Sequence, residues 1–191
     1  MRIAIKGCVA HVDRYKAQLD TWIKGNEILC WYFTGPSLDV PDGYESLPAK
    51  TKAICAACLK QEFVFMCDTD TYVSVPRLLA SGYEQHDYSG YVLDTLAIPY
   101  CSGPHYWLSN RALRILAEAD WSQYPIPGYT TCEDVMVGSV LRAHGILPHH
   151  DHRYAPFEPV LPTNDIISQH LSSREAYKIE FMYEAHKRAN P

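Results

Sequence analysis

No stretch of this chain approaches the roughly 20 consecutive apolar residues that cross a bilayer. The opening Met1-Arg2-Ile3-Ala4-Ile5-Lys6-Gly7 has an apolar run far too short for a secretory leader, so the expectation is a cytoplasmic protein. Basic residues are not in excess. The 17 Lys and Arg stand against 22 Asp and Glu, a formal charge of −5, and this makes duplex nucleic acid a poor partner. GxGxxG is missing after the first strand candidate and GxxxxGK[ST] is missing throughout, so neither dinucleotide nor P-loop phosphate binding is signalled. The seven cysteines are odd in number and irregular in spacing, which argues against a disulfide framework. Cys55-Ala56-Ala57-Cys58 has no second CxxC to complete a zinc site, and its Ala-rich setting predicts a core helix. There is no internal repeat, low-complexity tract or linker.

What is present is an ordinary globular balance, 47% hydrophobic and 20% charged, over a length suited to one core. Residues 2–9 predict a buried strand. Asp13 offers an N-cap to a helix carrying Tyr15, Leu19, Trp22 and Ile23. Residues 27–33 form a second β-rich run that ends at Gly35-Pro36, and a turn-rich segment follows to residue 46. Pro48 fits the first turn of a helix reaching about residue 60. Residues 62–67 are a strongly apolar strand, and Pro76 opens a short helix. A strand over 88–93 is followed by a helix over 110–119 capped by Ser109. Thr131 or Cys132 precedes a further helix, closed by Gly145. A last strand over 146–149, an irregular run over 156–162 and a terminal amphipathic helix over 173–188 complete the reading. This alternation predicts an α/β fold: a single domain spanning 1–191, with a mixed, mostly parallel central sheet flanked by helices.

Chemistry concentrates where the apolar strand Phe63-Val64-Phe65-Met66-Cys67 stops at Asp68-Thr69-Asp70. Open α/β sheets bind ligands beyond the carboxyl ends of their strands. Two carboxylates spaced i, i+2 there can grip a hard cation, Mn²⁺ or Mg²⁺, that shares its shell with substrate phosphates. Glu133-Asp134 opens a helix, where acidic residues complement the dipole, and it also supplies a candidate base. His170 is a candidate third metal ligand, alongside the ordinary alternative of a structural histidine. In His149-His150-Asp151-His152, strand alternation allows at most His150 and His152 to converge.

Taken in order, these segments resemble the β-1,3-galactosyltransferase and Fringe group of GT-A fold glycosyltransferases, as a minimal bacterial or viral relative. The resemblance runs over residues 44–170. It is carried by Tyr44-Glu45-Ser46-Leu47-Pro48-Ala49-Lys50-Thr51, Phe65 through Val73 with the DxD, Tyr100-Cys101-Ser102-Gly103 followed by Tyr106-Trp107-Leu108-Ser109, Glu133-Asp134-Val135-Met136-Val137-Gly138, and His170. It implies an inverting, Mn²⁺-dependent transfer of a sugar from a UDP-sugar donor to a saccharide or glycan acceptor. The donor part would span about residues 1–75 and the acceptor and catalytic part about 76–191. On the same ground Asp68, Asp70 and His170 would hold the metal, and Lys50 would sit near the donor diphosphate. Asp134 would be the general base, Glu133 would orient acceptor or base, and Ser102, Gly103 and Trp107 would contact substrate. A viral relative would work in the host cytoplasm. Two further readings use the same residues. One is a non-catalytic sugar-binding module, in keeping with 14 tyrosines. The other is a metal-dependent phosphoesterase, which would need a second metal set that the sequence does not show.

Overall fold

The structure is a computed structural model, described here for residues 1–94, 96, 98–156, 165–171 and 178–190. The elements in chain order are β1 (Arg2–Lys6), α1 (Val12–Asp20), β2 (Cys30–Phe33), α2 (Gly35–Leu38), α3 (Leu47–Ala57), β3 (Phe63–Asp68), β4 (Thr71–Val73) and α4 (Val75–Leu79). They continue with β5 (Tyr88–Leu93), β6 (Tyr100–Ser109), α5 (Asn110–Glu118), α6 (Glu133–Ala143), β7 (His149–His150), β8 (Tyr154–Ala155), β9 (Ser168–His170) and α7 (Ile179–Ala189). The central sheet has the order β2-β1-β3-β6-β5-β7. β1 pairs in parallel with β2 and β3, β6 runs antiparallel between β3 and β5, and β7 adds in parallel to β5. Only β6 therefore opposes the common strand direction. A smaller sheet, β4-β9-β8, packs beside the first.

Strand alternation sorts the apolar residues onto two faces. Ile3, Ile5, Phe65, Cys67 and Trp107 join residues of α1 and α7 in one core. Ala4, Val64, Met66, Tyr106 and Leu108 join α3, α5 and α6 in the other. The result is a helix–sheet–helix sandwich, in agreement with the expected fold class. Cys55 and Cys58 are fully buried in the second core, as the core-helix reading requires. Among the described residues no helix is long and apolar enough to cross a membrane.

Several local expectations shift. The N-cap of α1 is His11, with Asp13 inside the first turn, and the helix ends before Trp22 and Ile23, which are buried beyond it. The second β-rich run starts as a 3₁₀ turn over Glu27–Leu29, with Ile28 80% exposed. Gly35-Pro36 opens α2 through a capping box between Thr34 and Ser37. Ser109 caps α5 as expected, its Oγ accepting from the Ala112 amide, and Gly145 takes a left-handed φ of 77° after α6. The strand expected over 146–149 falls at His149–His150, and β8 and β9 follow it. The terminal helix begins at Ile179, and residues 157–162 and 173–177 of the last two expectations lie outside the described residues. The ten-residue β6 is an element the sequence reading lacked. Pro104 is in register with neither β3 nor β5, at the place where β5 shifts register between Gly90 and Val92, so its missing N–H costs no ladder bond.

Candidate active site

The parallel pairing of β1 and β3 brings their carboxyl ends together, with Lys6 in register with Asp68. Beyond Asp68 the chain turns through Thr69 and Asp70 into β4. The turn is held from behind by α1 and the residues that follow it: Gln18 Nε2 donates to the carbonyls of Asp68 and Thr71, both at 3.0 Å, and Trp22 Nε1, just past the helix, donates to Thr71 at 3.1 Å. β4 pairs antiparallel with β9, which sets Thr71 opposite His170. That register carries a histidine from late in the chain to Asp70, with Nε2 3.4 Å from Oδ1.

These residues line one cavity of about 410 Å³ at the carboxyl ends of β1 and β3. Five carboxylates (Asp42, Asp68, Asp70, Glu133 and Asp134) border it with three permanent cations, Lys6, Arg14 and Lys50. Lys6 is buried. Its Nζ donates to the Gly103 carbonyl at 2.8 Å and to Glu133 Oε2 at 3.1 Å, and it lies 3.3 Å from Asp68 Oδ1. Burial works to lower its pKa, but Asp68 and Glu133 outweigh that and raise it. Asp68 is pushed up to about 6 by burial, with Lys6 opposing and the charges of Asp70 and Glu133 adding. Arg14 NH1 reaches Asp70 Oδ2 at 3.0 Å. His170 is raised: its burial would lower it, but the hydrogen bond and charge of Asp70 prevail.

The first turn of α6 supplies the opposite wall. Glu133 is buried, and its carboxylate is held by Lys6, by Thr51 Oγ1 at 3.0 Å and by the Tyr106 hydroxyl. Asp134 is half-buried. Its Oδ2 accepts from the Gly103 amide at 3.1 Å and its Oδ1 from the Val135 amide at 2.9 Å. Burial, then the charge of Glu133, raises its pKa against those two hydrogen bonds and Lys6. A Cβ on Gly103 would lie 3.3 Å from Asp134 Oδ2, so the close approach favours glycine there.

Of the expected site residues, Asp68, Asp70, Lys50, Gly103, Glu133, Asp134 and His170 all border this cavity. Trp107 does not. It is fully buried in the core shared with α1 and α7, stacked on Tyr83 at 3.9 Å with its Nε1 bonded to Tyr154. It pairs with Phe65 of β3 and Ser89 of β5 inside the sheet, away from the strand ends that form the cavity. Ser102 is buried and does not line the cavity. Lys50 borders it, but its Nζ is already committed to the Gly7 carbonyl at 2.7 Å and Asp42 Oδ1 at 2.6 Å, bonds that fix the loop after β1. Glu133 is likewise fixed by three protein donors, which suits bracing the site better than meeting an acceptor. In the histidine cluster the pairing differs from expectation: His149 stacks on His86 at 3.5 Å, while His150 Nδ1 accepts from the Val92 amide. The sequence reading passed over Lys6 and Arg14. The cue for Lys6 was a lysine ending a buried strand; Arg14 on its helix carried none.

Two carboxylates and an imidazole fit Mn²⁺ or Mg²⁺ in chemical kind. His170 Nδ1 lies 3.2 Å from the Pro156 carbonyl, which can only accept. Its hydrogen is therefore on Nδ1, the arrangement that directs Nε2 at a metal. Nε2 instead faces Asp70 Oδ1, an acceptor, and a proton or a cation must mediate between them. The set is not gathered: among the described residues no three Asp, Glu, His or Cys side chains stand close enough to hold a metal ion. Asp68 leans to Lys6 and Asp70 to Arg14.

No protein-family model and no curated protein matches the chain. Solved structures do. A glycosyltransferase involved in the glycosylation of the major capsid of PBCV-1 is 15% identical, with 97% of this chain and 99% of that chain covered at a TM-score of 0.56. The galactosyltransferase LgtC in complex with donor and acceptor sugar analogues is 11% identical, with 100% and 97% covered at a TM-score of 0.56. An active-site mutant of LgtC, 10% identical, matches over the same shares at 0.53. The fold is thus the GT-A type of these glycosyltransferases, matched end to end. These matches show the fold and do not single out the Fringe group.

Proposed function

We propose that the chain is a metal-dependent glycosyltransferase that moves a sugar from a UDP-sugar to a hydroxyl of a saccharide or glycan acceptor, with inversion. The observation that carries the reading is the convergence of Asp68, Asp70, His170 and Asp134 on one cavity at the strand carboxyl ends of a GT-A fold. The charge balance supports metal dependence. Five carboxylates against three cations make the cavity net acidic, and an anionic diphosphate would enter only with a counter-cation. Asp68, Asp70 and His170 would hold that cation. When bound, it supplies charge neutralisation to the departing diphosphate.

The protein's own part is positioning and proton transfer. Asp134 takes the proton from the acceptor hydroxyl as that oxygen bonds to the anomeric carbon and the carbon–oxygen bond to the diphosphate breaks. Two amide hydrogen bonds aim its carboxylate, and its raised pKa makes it a stronger base than an exposed aspartate. Lys6 and Glu133, each tied to several partners, keep the floor of the site rigid.

The test is Asp134→Asn. It should leave Mn²⁺-dependent UDP binding intact and lower transfer by at least about 100-fold, the lower range for a lost general base. In the unaltered protein the transfer rate should rise with pH through a pKa above the ordinary value of 3.8, because only the ionised carboxylate accepts a proton. Wild-type transfer by Asp134→Asn would remove Asp134 from the mechanism.

A further inference from the structure

We infer that Tyr44 is the wall against which the acceptor's sugar ring lies while Asp134 takes the proton from its hydroxyl. This rests on the reading of the cavity as a glycosyltransferase site and names the part of it that meets the acceptor. Of the described residues bordering the cavity, Tyr44 alone is Tyr, Trp or Phe. It is 72% exposed, and among the described residues its hydroxyl has no hydrogen-bond partner and its ring no aromatic neighbour. Single exposed apolar side chains are common on any surface. Ile28 and Leu147 are also well exposed but do not border this cavity. What separates Tyr44 is its place and its mounting.

The turn Tyr44–Ser46, between α2 and α3, is pinned on both sides. Asp42 accepts from the Val9 amide at 2.6 Å, the Gly35 amide at 2.7 Å and Lys50 Nζ at 2.6 Å. Ser46 Oγ shares its proton between the carbonyls of Pro41 and Gly43, both at 2.7 Å. The backbone is thus set in advance, and a tyrosine has few side-chain torsions left to fix on binding. Asp134 borders the same cavity from the first turn of α6. After burial, the groups that raise the Tyr44 pKa are Cys132 and then the carboxylates of Asp134, Asp68 and Glu133, so its hydroxyl stands on the side of the cavity that holds the proton acceptor. A pyranose carries a face of C–H groups between its hydroxyls. That face gains by covering an aromatic ring, while the hydroxyls meet the carboxylates of α6. Uracil could stack on such a ring too, but ribose and diphosphate separate it from the reacting carbon, whereas Asp134 must touch the acceptor hydroxyl itself. The aromatic contact expected of Trp107 therefore falls to Tyr44.

The test is saturation-transfer NMR of the methyl glycosides of glucose, galactose, mannose, xylose, fucose and rhamnose on the protein loaded with Mg²⁺ and UDP, with UDP affinity measured separately by calorimetry. The unaltered protein is compared with Tyr44→Ala, Tyr44→Phe and Tyr44→Trp. At least one glycoside should receive saturation, chiefly at the C–H protons of one face. Tyr44→Ala should bind it about fivefold more weakly, the size of one aromatic contact, with UDP affinity unchanged. Tyr44→Phe and Tyr44→Trp, which keep the ring, should bind it within about twofold of the unaltered protein. Unchanged glycoside binding in Tyr44→Ala, an equal loss in Tyr44→Phe, or a loss of UDP affinity in step with the glycoside overturns the assignment and leaves the glycosyltransferase reading in place. So does UDP binding by the unaltered protein with saturation of no glycoside. Binding of neither UDP nor glycoside overturns both.

Discussion

His105 gives the sharpest test of the packing beneath the site. Its imidazole is fully buried on β6, with Nδ1 3.0 Å from Ser168 Oγ and no partner for Nε2 among the described residues. Burial, helped by His170 and Lys6 and opposed by Asp70, pushes its pKa down to about 3. In the unfolded chain it titrates near the ordinary value of 6.5. Between those values the unfolded state binds a proton that the folded state refuses, so stability falls as pH falls. Integrated from pH 7.5 to 5, this one group removes about 2 kcal/mol. Asp68, Asp134 and His170 act the other way: their folded pKa values are raised, so their contributions rise as pH falls through them. The unaltered protein alone would show only the balance. The measurement is therefore urea unfolding at both pH values for the unaltered protein and for His105→Asn, whose amide can keep the bond to Ser168. The variant should be relatively more stable at pH 5 by about 2 kcal/mol, whatever constant offset it carries at pH 7.5. Identical pH dependence in the two proteins would refute a neutral buried imidazole at this position.

Lys6→Met removes the cation between Asp68 and Glu133 and should cost about 3–5 kcal/mol in denaturant unfolding, with Glu133→Gln added recovering part of it. Trp107→Ala should cost about 3–5 kcal/mol of stability through the cavity it leaves. Its UDP affinity, measured on the folded fraction, should be unchanged, because the ring faces the core away from the site.

The legible part of this protein was whatever a short window carries. The apolar strand ending in Asp68-Thr69-Asp70, the Ser109 cap and the Gly145 terminus are local signals, and each falls where it was read. The six-stranded sheet was legible as a class but not as a register. Lys6 opposite Asp68 and His170 opposite Thr71 are pairings between residues far apart in sequence, and no spacing rule contains them. β6 was missed because Gly103 and Pro104 are strand breakers by composition; a register shift in β5 makes room for them. Trp107 was assigned to the substrate by its place in a motif, without the strand needed to say which face it takes. Arg14 and Lys50 show the limit from the other side. A cation's role depends on which acceptors it has already met, and only the folded chain supplies them.

Calorimetric titration of UDP, with Mn²⁺ and then with EDTA, against GDP and dTDP and with Asp70→Ala as the control, tests whether the donor site needs a metal. UDP-selective binding should disappear with EDTA and in Asp70→Ala. Binding of none of the nucleotides in the presence of Mn²⁺, or UDP binding indifferent to EDTA, would contradict a metal-dependent donor site.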